Sequence, residues 1–329
     1  MQERVSIPPD QLMQVDIMGF RHAIRDITFD VYLKISDDNV ARVFSGSTGL
    51  DYKRLAQYIQ KGVKFLFIEK KDHERYLQFV GVTAETIFKD PHTSPEKKIA
   101  TLLNMTEQNI AETLAQFHVD EETANDTQKI IHNYVDLMTE KPSTLGIILK
   151  LASHGEYLYY HSIAVAIFSM FIARATGQFN KKMIELIGLG GFLHDIGSTQ
   201  LPKEVVNSPS DLTVEQWKIM HTHPKLGLQM VENNKVIPEE VRYIIYQHHE
   251  EPSGHGYPNS IRGPVIYYPA KIVAIADAFS ALISKRPFRE AYSVEEAIQI
   301  IEKAVGKFDK DLVKMLPAIF LRPEKRQAS

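Results

Sequence analysis

Hydrophobic and polar residues alternate along the first part of the chain in the pattern of half-buried strands. Residues 28–36 and 40–44 alternate in this way, with polar turn residues between them, and residues 63–68 form a further short apolar run. Asp51 stands where a helix N-cap is expected, ahead of apolar residues that are spaced along one helical face. The pattern therefore predicts a small α+β domain over residues 1–92.

The pattern changes after a cluster of proline and serine residues that begins at Pro91. Between residues 96 and 138, apolar positions recur with the period of a helix, and we interpret residues 93–140 as helices that connect two domains. A second break follows at Lys141-Pro142-Ser143, and helical patterns continue beyond it. Residues 141–329 are therefore predicted to form an all-α domain, which makes the fold mainly α overall.

The composition is ordinary for a globular protein, but it limits the chemistry. Of the 329 residues, 44% are hydrophobic and 24% are charged, and the formal net charge is -3. The chain thus lacks the basic field that holds nucleic acid polymers. It also has no cysteine, which excludes disulfides, zinc fingers and iron–sulfur clusters. Any transition metal would have to be bound by nitrogen and oxygen ligands.

No segment has the length and apolarity of a membrane span or a signal peptide. The N-terminus has no apolar core segment. The longest apolar stretch, residues 163–173, is interrupted by Ser169 and is too short to cross a bilayer. We therefore expect a cytoplasmic protein that does not associate with membranes.

Histidines and aspartates stand at the ends of several apolar helical segments or inside them. These residues are His161, His194, Asp195, His223, His248, His249 and Asp277. Taken singly, each could be a helix cap, a surface residue or a hydrogen-bonded carboxylate, although an unpaired Asp277 in its apolar run would cost several kcal/mol. Taken together, they indicate that several helices bring polar groups to one interior cluster, which metal ions satisfy most simply.

The order of these residues resembles the HD superfamily of metal-dependent phosphohydrolases. Residues 248–258 (HHEEPSGHGYP) resemble the HHExxDGxGYP signature of its HD-GYP branch, and LHDIG at 193–197, His223-Pro224 and RPFR at 286–289 resemble further motifs. The resemblance covers roughly residues 141–320. It implies an HD-type helical catalytic domain that linearises cyclic di-GMP, or acts on a related cyclic dinucleotide. It also implies two divalent metal ions as cofactors, iron or alternatively manganese.

The same resemblance assigns roles to individual residues. One metal ion would be held by His161, His194, Asp195 and Asp277. The second ion would be held by His223, His248 and His249, with Asp195 as the bridging catalytic carboxylate. The substrate would be contacted by Tyr257, Arg286 and Arg289. We also expect Glu250 to accept an N–H from a ligating imidazole.

Several positions depart from the family pattern. Ser198 replaces the lysine that usually follows HDIG, Ser253 replaces the aspartate of HHExxDG, and Ser280 replaces an aspartate often found three residues after the ligand at 277. Tyr157 stands where members with three metals have a glutamate, which favours two ions. Loss of a charge-assisted phosphate contact at position 198 costs about 1.5–3 kcal/mol, so we predict slow turnover.

These departures leave two alternatives to a cyclic di-GMP phosphodiesterase. The first is a catalytically weak or inactive module that binds metals and nucleotide and signals through protein contacts. The second is a phosphodiesterase for another nucleotide. In every case residues 1–92 carry no chemistry of their own that we recognise, and we interpret them as a regulatory domain or the binding site of a protein partner.

Overall fold

The computed structural model describes most of the chain. The described residues are 4–5, 7–21, 26–36, 39–90, 92–94, 97–99, 101–102, 121–140, 145, 149, 157–206, 208, 211–285 and 289–321. The chain divides into two compact units, Met1–Met105 and Thr106–Ser329. Among the described residues, no helix combines the length and the apolar character that a membrane crossing requires.

The first unit is built on a five-stranded antiparallel sheet with the strand order β1-β4-β3-β5-β2. Its strands are β1 (Arg4–Val5), β2 (Leu12–Asp16), β3 (Val31–Ser36), β4 (Asn39–Phe44) and β5 (Phe65–Glu69). Its helices are α1 (Met18–Arg21), α2 (Tyr52–Gln60) and α3 (His73–Lys89). The α+β character predicted for this part of the chain is confirmed.

The predicted N-cap of α2 is also confirmed. The side chain of Asp51 accepts a hydrogen bond from the backbone N–H of Arg54, which satisfies one of the free donors at the helix start. Leu55 and Tyr58 on the inner face of α2 are buried. The core they join includes an aromatic cluster in which Phe29 makes edge-to-face contacts with Tyr76 and Phe79 of α3.

The second unit is helical. Its helices are α4 (Glu121–Glu140), α5 (Tyr157–Thr176), α6 (Lys181–Leu193), α7 (Lys203–Val206), α8 (Val214–Met220), α9 (His223–Val231), α10 (Glu239–Gln247), α11 (Tyr268–Ile283), α12 (Val294–Lys303), α13 (Lys310–Val313) and α14 (Leu316–Phe320). A short 3-10 helix, Ile196–Gln200, follows α6. The prediction of an all-α domain after the small α+β domain is confirmed.

Helix α5 forms the centre of this unit because it is apolar all round. Every residue from 163 to 173 is buried, and the helix packs against α6 and α11. Helix α6 in turn contacts α10 and α4. The apolar stretch that is too short for a membrane is thus the core helix of the domain.

Local capping sets where several of these helices begin. Asn180 caps α6 by accepting from the backbone N–H of Met183, while Thr213 and Gln216 form a reciprocal capping box at the start of α8. Helix α4, which falls in the segment predicted as connecting helices, packs on α5 and α6. The domain boundaries at residues 92 and 140 stay predictions.

Candidate metal centre

The seven histidines and aspartates singled out in the sequence meet at one place in the second unit. His194 and Asp195 directly follow α6, His223 is the first residue of α9, and His248 and His249 directly follow α10. His161 lies one turn into α5, and Asp277 lies within α11. Helix ends and helix interiors from five elements thus supply one cluster.

Asp195 stands between two groups of imidazoles. Its Oδ1 lies 3.1 Å from Nε2 of His223 and 3.7 Å from Nε2 of His248, whereas its Oδ2 lies 3.5 Å from Nε2 of His194. Ligand atoms of Asp195, His223, His248 and His249 all lie within 4.8 Å of one another, and those of His161, His194 and Asp195 do so as well. The two oxygens of one carboxylate therefore face two neighbouring sets of donors.

Asp277 completes the set that contains His161. Its Oδ1 is 3.1 Å from Nε2 of His161 and 4.0 Å from Nε2 of His194. The side chain of Asp277 is 20% exposed, and it projects from an otherwise apolar helix. A carboxylate in this position needs a positive partner, which the facing imidazoles alone do not supply in their neutral form.

The orientation of three imidazoles is fixed by the backbone. In each case Nδ1 lies 2.7 or 2.8 Å from the carbonyl oxygen three residues earlier, at or near the end of the preceding helix. The pairs are His194 with Gly191, His223 with Met220, and His248 with Ile245. Because a carbonyl only accepts, each Nδ1 carries a proton, and Nε2 is the nitrogen that each ring turns towards Asp195.

His161 is oriented by a side chain instead. Its Nδ1 lies 3.1 Å from the Oγ of Ser280, which is fully buried one turn beyond Asp277 on α11. The serine that replaces the family's aspartate thus keeps a hydrogen bond to this imidazole but brings no charge. Ser280 holds the ring so that its Nε2 faces Asp277.

A close backbone approach brings Asp195 to His223. The 3-10 helix after Asp195 packs against the start of α9. A Cβ added at Gly197 would lie 2.0 Å from the carbonyl oxygen of His223 and 2.4 Å from the backbone nitrogen of Gly227. Glycine is therefore required at position 197 for this packing.

Burial and neighbouring charges shift the pKa values of the cluster in different directions. Burial alone would raise the pKa of Asp195, but His194 and the other imidazoles outweigh it and hold the pKa well below its ordinary value. Burial lowers the pKa of His248 and of His249, so both rings are neutral at neutral pH. For His194, burial would lower the pKa, but the Asp195 and Asp277 carboxylates prevail and raise it to about 9. The carboxylates thus draw a positive charge into the centre.

The ring nitrogens of three histidines are arranged in a way that suits bound metal ions. Nε2 of His194 is fully buried and makes no hydrogen bond. Nε2 of His223 and Nε2 of His248 lie 3.2 Å apart, and both Nδ1 atoms are directed at carbonyls, so a pair of uncharged rings would set two lone pairs against each other. A cation relieves both arrangements, and imidazole with carboxylate is a donor set that suits iron, manganese or zinc.

Glu250 has a different role from the one we expected. It is buried, and its Oε1 accepts from the backbone N–H of Asn259 while its Oε2 accepts from that of Ile261. The described hydrogen bonds of Glu250 go to the backbone of the loop after Gly256, and none of them goes to an imidazole. Glu250 instead fixes the loop that carries Tyr257, and backbone carbonyls orient the imidazoles.

Among the residues predicted to contact substrate, Tyr257 lies against the cluster. Its ring stacks on His249 with the centroids 4.6 Å apart, and burial raises its pKa above the ordinary tyrosine value. The hydroxyl therefore remains protonated at neutral pH. Arg286 lies outside the described residues.

Arg289 is engaged elsewhere. Its Nη1 donates to the carbonyl of Leu282 and its Nη2 to that of Ala281, near the C-terminal end of α11, and its guanidinium lies over the ring of Tyr292. These contacts satisfy free carbonyls at a helix end. A phosphate contact of Arg289, which stays a prediction, would require an exchange of these partners.

The departures from the family pattern fall beside the cluster. Ser198 is half-buried in the 3-10 helix, where its N–H donates to the carbonyl of Asp195. Ser253 lies in the loop after His249, and its hydroxyl donates to Glu251. The side chain of Tyr157 lies outside the described residues. Neither serine supplies the charge that the family residue carries.

One aromatic residue of this region was not singled out from the sequence. His221 ends α8, and its ring stacks on Tyr257 with centroids 3.9 Å apart. The signal that could have drawn attention to it is its spacing, because it follows Trp217 by one helical turn and precedes His223 by two residues.

A comparison with family models identifies the helical unit. The model described as HD domain matches residues 129–312, which is more than half of the chain. The match includes every residue of the cluster.

Curated relatives are similar over about half of the chain. A protein named cyclic di-GMP phosphodiesterase from Pseudomonas aeruginosa is 30% identical over 53% of this chain and 42% of its own length. A protein named 3'3'-cGAMP-specific phosphodiesterase 1 from Vibrio cholerae is 31% identical over 49% of this chain and 38% of its own length. The chain therefore spans less than half the length of these relatives.

One solved structure resembles the whole chain. It is described as an HDG"Y"P protein from Bdellovibrio bacteriovorus and aligns with a TM-score of 0.73 over 94% of this chain and 99% of its own. The sequences are 22% identical in this alignment. At this level of identity the likeness shows a shared fold.

Proposed function

The chain belongs to the HD domain family, and from that premise we propose that it is a metal-dependent phosphodiesterase for a cyclic dinucleotide, with cyclic di-GMP as the first candidate substrate. The resemblance to the HD-GYP branch, predicted from the motifs, is confirmed by relatives named cyclic di-GMP phosphodiesterases. The substrate itself is inferred, because those relatives are matched over less than half of their length.

The position of Asp195 carries the proposal. A carboxylate whose two oxygens face separate imidazole groups, 3.1 Å from His223 on one side and 3.5 Å from His194 on the other, is suited to bridge two cations. One cation would be held by His161, His194, Asp195 and Asp277. The other would be held by Asp195, His223, His248 and His249. When bound, such a pair activates water and stabilises the charge that develops on a phosphodiester.

The protein side chains prepare the centre for this chemistry. Asp195 remains ionised because its pKa is held low, and His248 and His249 remain neutral because burial lowers their pKa, so each offers a lone pair. The Tyr257 hydroxyl keeps its proton and can donate to a phosphate oxygen. The loop that carries Tyr257 is held in place by Glu250 through the N–H groups of residues 259 and 261.

A second candidate function rests on Ser198 and Ser253. Both stand where the family has a charged residue. The described contacts of Ser198 are with backbone groups, and Ser253 has the carboxylate of Glu251 at its hydroxyl in place of a charge of its own. The chain would then hold metal and nucleotide with little or no turnover and signal through protein contacts. We expect slow hydrolysis of cyclic di-GMP, at a rate between that of an efficient phosphodiesterase and that of an inactive binding module.

The test is metal analysis joined to a turnover assay. We expect full-length protein that is purified and loaded with iron without oxygen to contain about two metal ions per chain. We also expect it to convert cyclic di-GMP slowly to the linear dinucleotide. Asp195→Ala should lose both ions, since it removes the carboxylate that they would share. Asp136→Ala removes an exposed carboxylate on α4 and is the matched control, which should keep both ions.

Two results would contradict the proposal. A single ion per chain, or full metal content in the Asp195→Ala variant, would contradict the proposal that Asp195 bridges two ions. Full metal content without conversion of cyclic di-GMP or of 3'3'-cGAMP would leave the metal centre in place and support the binding module instead.

A further inference from the structure

A row of aromatic side chains leads from the metal centre towards the surface. Tyr257 stacks on His249 with an interplanar angle of 29°, and on its other neighbour, His221, with centroids 3.9 Å apart and an angle of 18°. Trp217 contacts His221 with centroids 5.5 Å apart. We refer to Trp217, His221 and Tyr257 as the aromatic ladder.

The outer part of the ladder is set by helix α8. The Thr213 capping box fixes the start of this helix, and the N–H of His221 donates to the carbonyl of Trp217 at its end. Side chains four residues apart lie on the same face of a helix, so Trp217 and His221 project together. His223, a predicted metal ligand, follows His221 by two residues and is the first residue of α9. A single short element therefore positions both a metal ligand and the outer rings.

The ladder ends in solvent. Trp217 is 47% exposed, His221 is exposed, and Val214 on the same helix is 67% exposed. An exposed aromatic residue on its own needs no explanation. The rings of Trp217 and His221, however, are tilted by 55° to each other, and His221 stacks on Tyr257, which in turn stacks on His249. The two outer rings therefore connect an exposed aromatic surface to the cluster.

We propose that the aromatic ladder is a base-stacking platform that binds a purine ring of the nucleotide whose phosphodiester lies at the metal centre. The identity of the nucleotide rests on the proposed function, whereas the stacking itself does not. Nucleobases stack on aromatic side chains, and two fused rings cover more of such a surface than one. The chain has a net charge of -3 and a serine at position 198, so stacking replaces part of the affinity that cationic contacts would give.

The stacking can be observed without turnover. Trp217 is the single tryptophan of the chain, so the intrinsic tryptophan fluorescence reports on the ladder alone. The metal-loaded protein is titrated with cyclic di-GMP, GMP and ribose 5-phosphate, and quenching by GMP is independent of turnover because GMP has no phosphodiester. We expect the two ligands that carry a base to quench the fluorescence. Ribose 5-phosphate, which has the phosphate but no base, should leave it unchanged.

Variants separate stacking from other roles of the same residues. Loss of a stacking partner weakens binding roughly five- to 150-fold, so His221→Ala should raise the Kd by a factor in this range. Both His221→Ala and Trp217→Ala should raise the KM by a similar factor with little change in kcat. His221→Phe keeps a planar ring without the ring nitrogens and should restore binding. Tyr243→Ala removes a comparably exposed ring of α10 and is the control, with binding expected to match the unmodified chain.

The outcomes distinguish this proposal from the function on which it draws. Quenching by GMP without hydrolysis of any cyclic dinucleotide supports the base-stacking platform and contradicts the proposed phosphodiesterase activity. Hydrolysis with an unchanged KM in both alanine variants supports the phosphodiesterase and overturns the platform. The platform is equally overturned if neither cyclic di-GMP nor GMP quenches Trp217, or if His221→Phe binds as weakly as His221→Ala.

Discussion

Ser280 shows how a single residue can keep the geometry of a site while changing its electrostatics. Its hydroxyl lies 3.1 Å from Nδ1 of His161, where an aspartate would place a full negative charge. A charged acceptor makes the imidazole more basic and a better ligand. The serine keeps the ring in place, and it leaves Asp277 as the negative partner at Nε2.

We predict that Ser280→Ala weakens metal binding. Loss of a hydrogen bond that orients a ligating histidine typically costs ten- to 100-fold in metal affinity, and we expect about this loss for the ion held by His161. Competition with a metal chelator measures the affinity. Ser284→Ala is the control, because Ser284 is buried on the same helix and donates to the carbonyl of Ser280 without reaching the cluster. Equal affinities in the two variants would contradict the orienting role.

Position 198 allows a gain of function to be predicted. Ser198→Lys should raise kcat/KM for cyclic di-GMP about ten- to 100-fold, because it adds a cation where negative charge grows in the transition state. Steady-state kinetics of metal-loaded protein provides the measurement. Gln200→Lys adds the same charge two residues later at an exposed position and should have little effect. If both variants gain equally, a general electrostatic field is responsible and not a specific contact.

At the residue scale, the motifs were sufficient to identify Asp195 and the six side chains that meet around it. They were insufficient for the groups that orient those side chains. The acceptors for His194, His223 and His248 are backbone carbonyls, and a carbonyl is present at every position whatever the sequence. Glu250 was assigned to an imidazole because its side chain is visible in the motif, yet its partners are the N–H groups of Asn259 and Ile261.

At the scale of the elements, the metal centre depends on how helices end. Helices α6 and α10 stop directly before a ligand, and α9 starts at one. The 3-10 helix that follows α6 packs against the start of α9, and the lack of a side chain at Gly197 makes this close approach possible. Two backbones meet there with no room for a side chain.

Gly197→Ala should therefore disrupt the metal centre although residue 197 is not a ligand. The added Cβ would lie 2.0 Å from the carbonyl oxygen of His223, so the 3-10 helix and α9 must move apart and Asp195 must withdraw from His223. We expect the variant to lose most of its metal in elemental analysis. Its overall helical signal in circular dichroism should be retained.

A glycine in open space provides the comparison. Gly81 lies within α3, and a Cβ there meets nothing within 4 Å. Gly81→Ala should keep the full metal content and should stabilise the fold by about 0.5–1 kcal/mol, since alanine is the better helix former. Retention of metal by Gly197→Ala would contradict this prediction and would show that the centre tolerates a separation of the 3-10 helix from α9.

Local patterns were a good guide to single elements and a poor guide to pairings. The alternation of residues 28–36 and the cap at Asp51 predicted β3 and α2. Strand β2 was missed because residues 12–16 have no clear alternation of their own. They become a strand by pairing with residues 65–69, and such a distant partner leaves no trace in a local window.

On the scale of the whole molecule, the cluster belongs to one of the two units. All seven clustered side chains come from residues 161–277, within the unit Thr106–Ser329. Helix α4 belongs to the same unit and packs tightly on α6, since a Cβ added at Gly188 would lie 3.0 Å from Cγ2 of Ile131. The unit is therefore complete only with the helix that precedes the predicted boundary at residue 140.

We predict that a protein comprising residues 106–329 keeps the metal content of the full chain. It retains every clustered residue and the helix that covers α6, and elemental analysis with thermal unfolding provides the measurement. A protein that starts at residue 141 lacks α4 and exposes the surface covered by Ile130, Ile131 and Tyr134. Each of these large side chains contributes about 1.5–3 kcal/mol by burial, so the shorter protein should be unstable. A folded 106–329 protein without metal would mean that residues 1–105 contribute to the centre.

The carbonyls that hold the Nδ1 protons of three histidines have a consequence for how the protein acquires its ions. Hydrogen bonds to backbone carbonyls fix the three rings, so the orientation of these ligands does not depend on which divalent metal they bind. Exchange of one metal for another then requires no refolding, and nitrogen and oxygen donors accept several divalent metals. The ions found in the purified protein will follow the supply in the growth medium, while the protein around them stays the same.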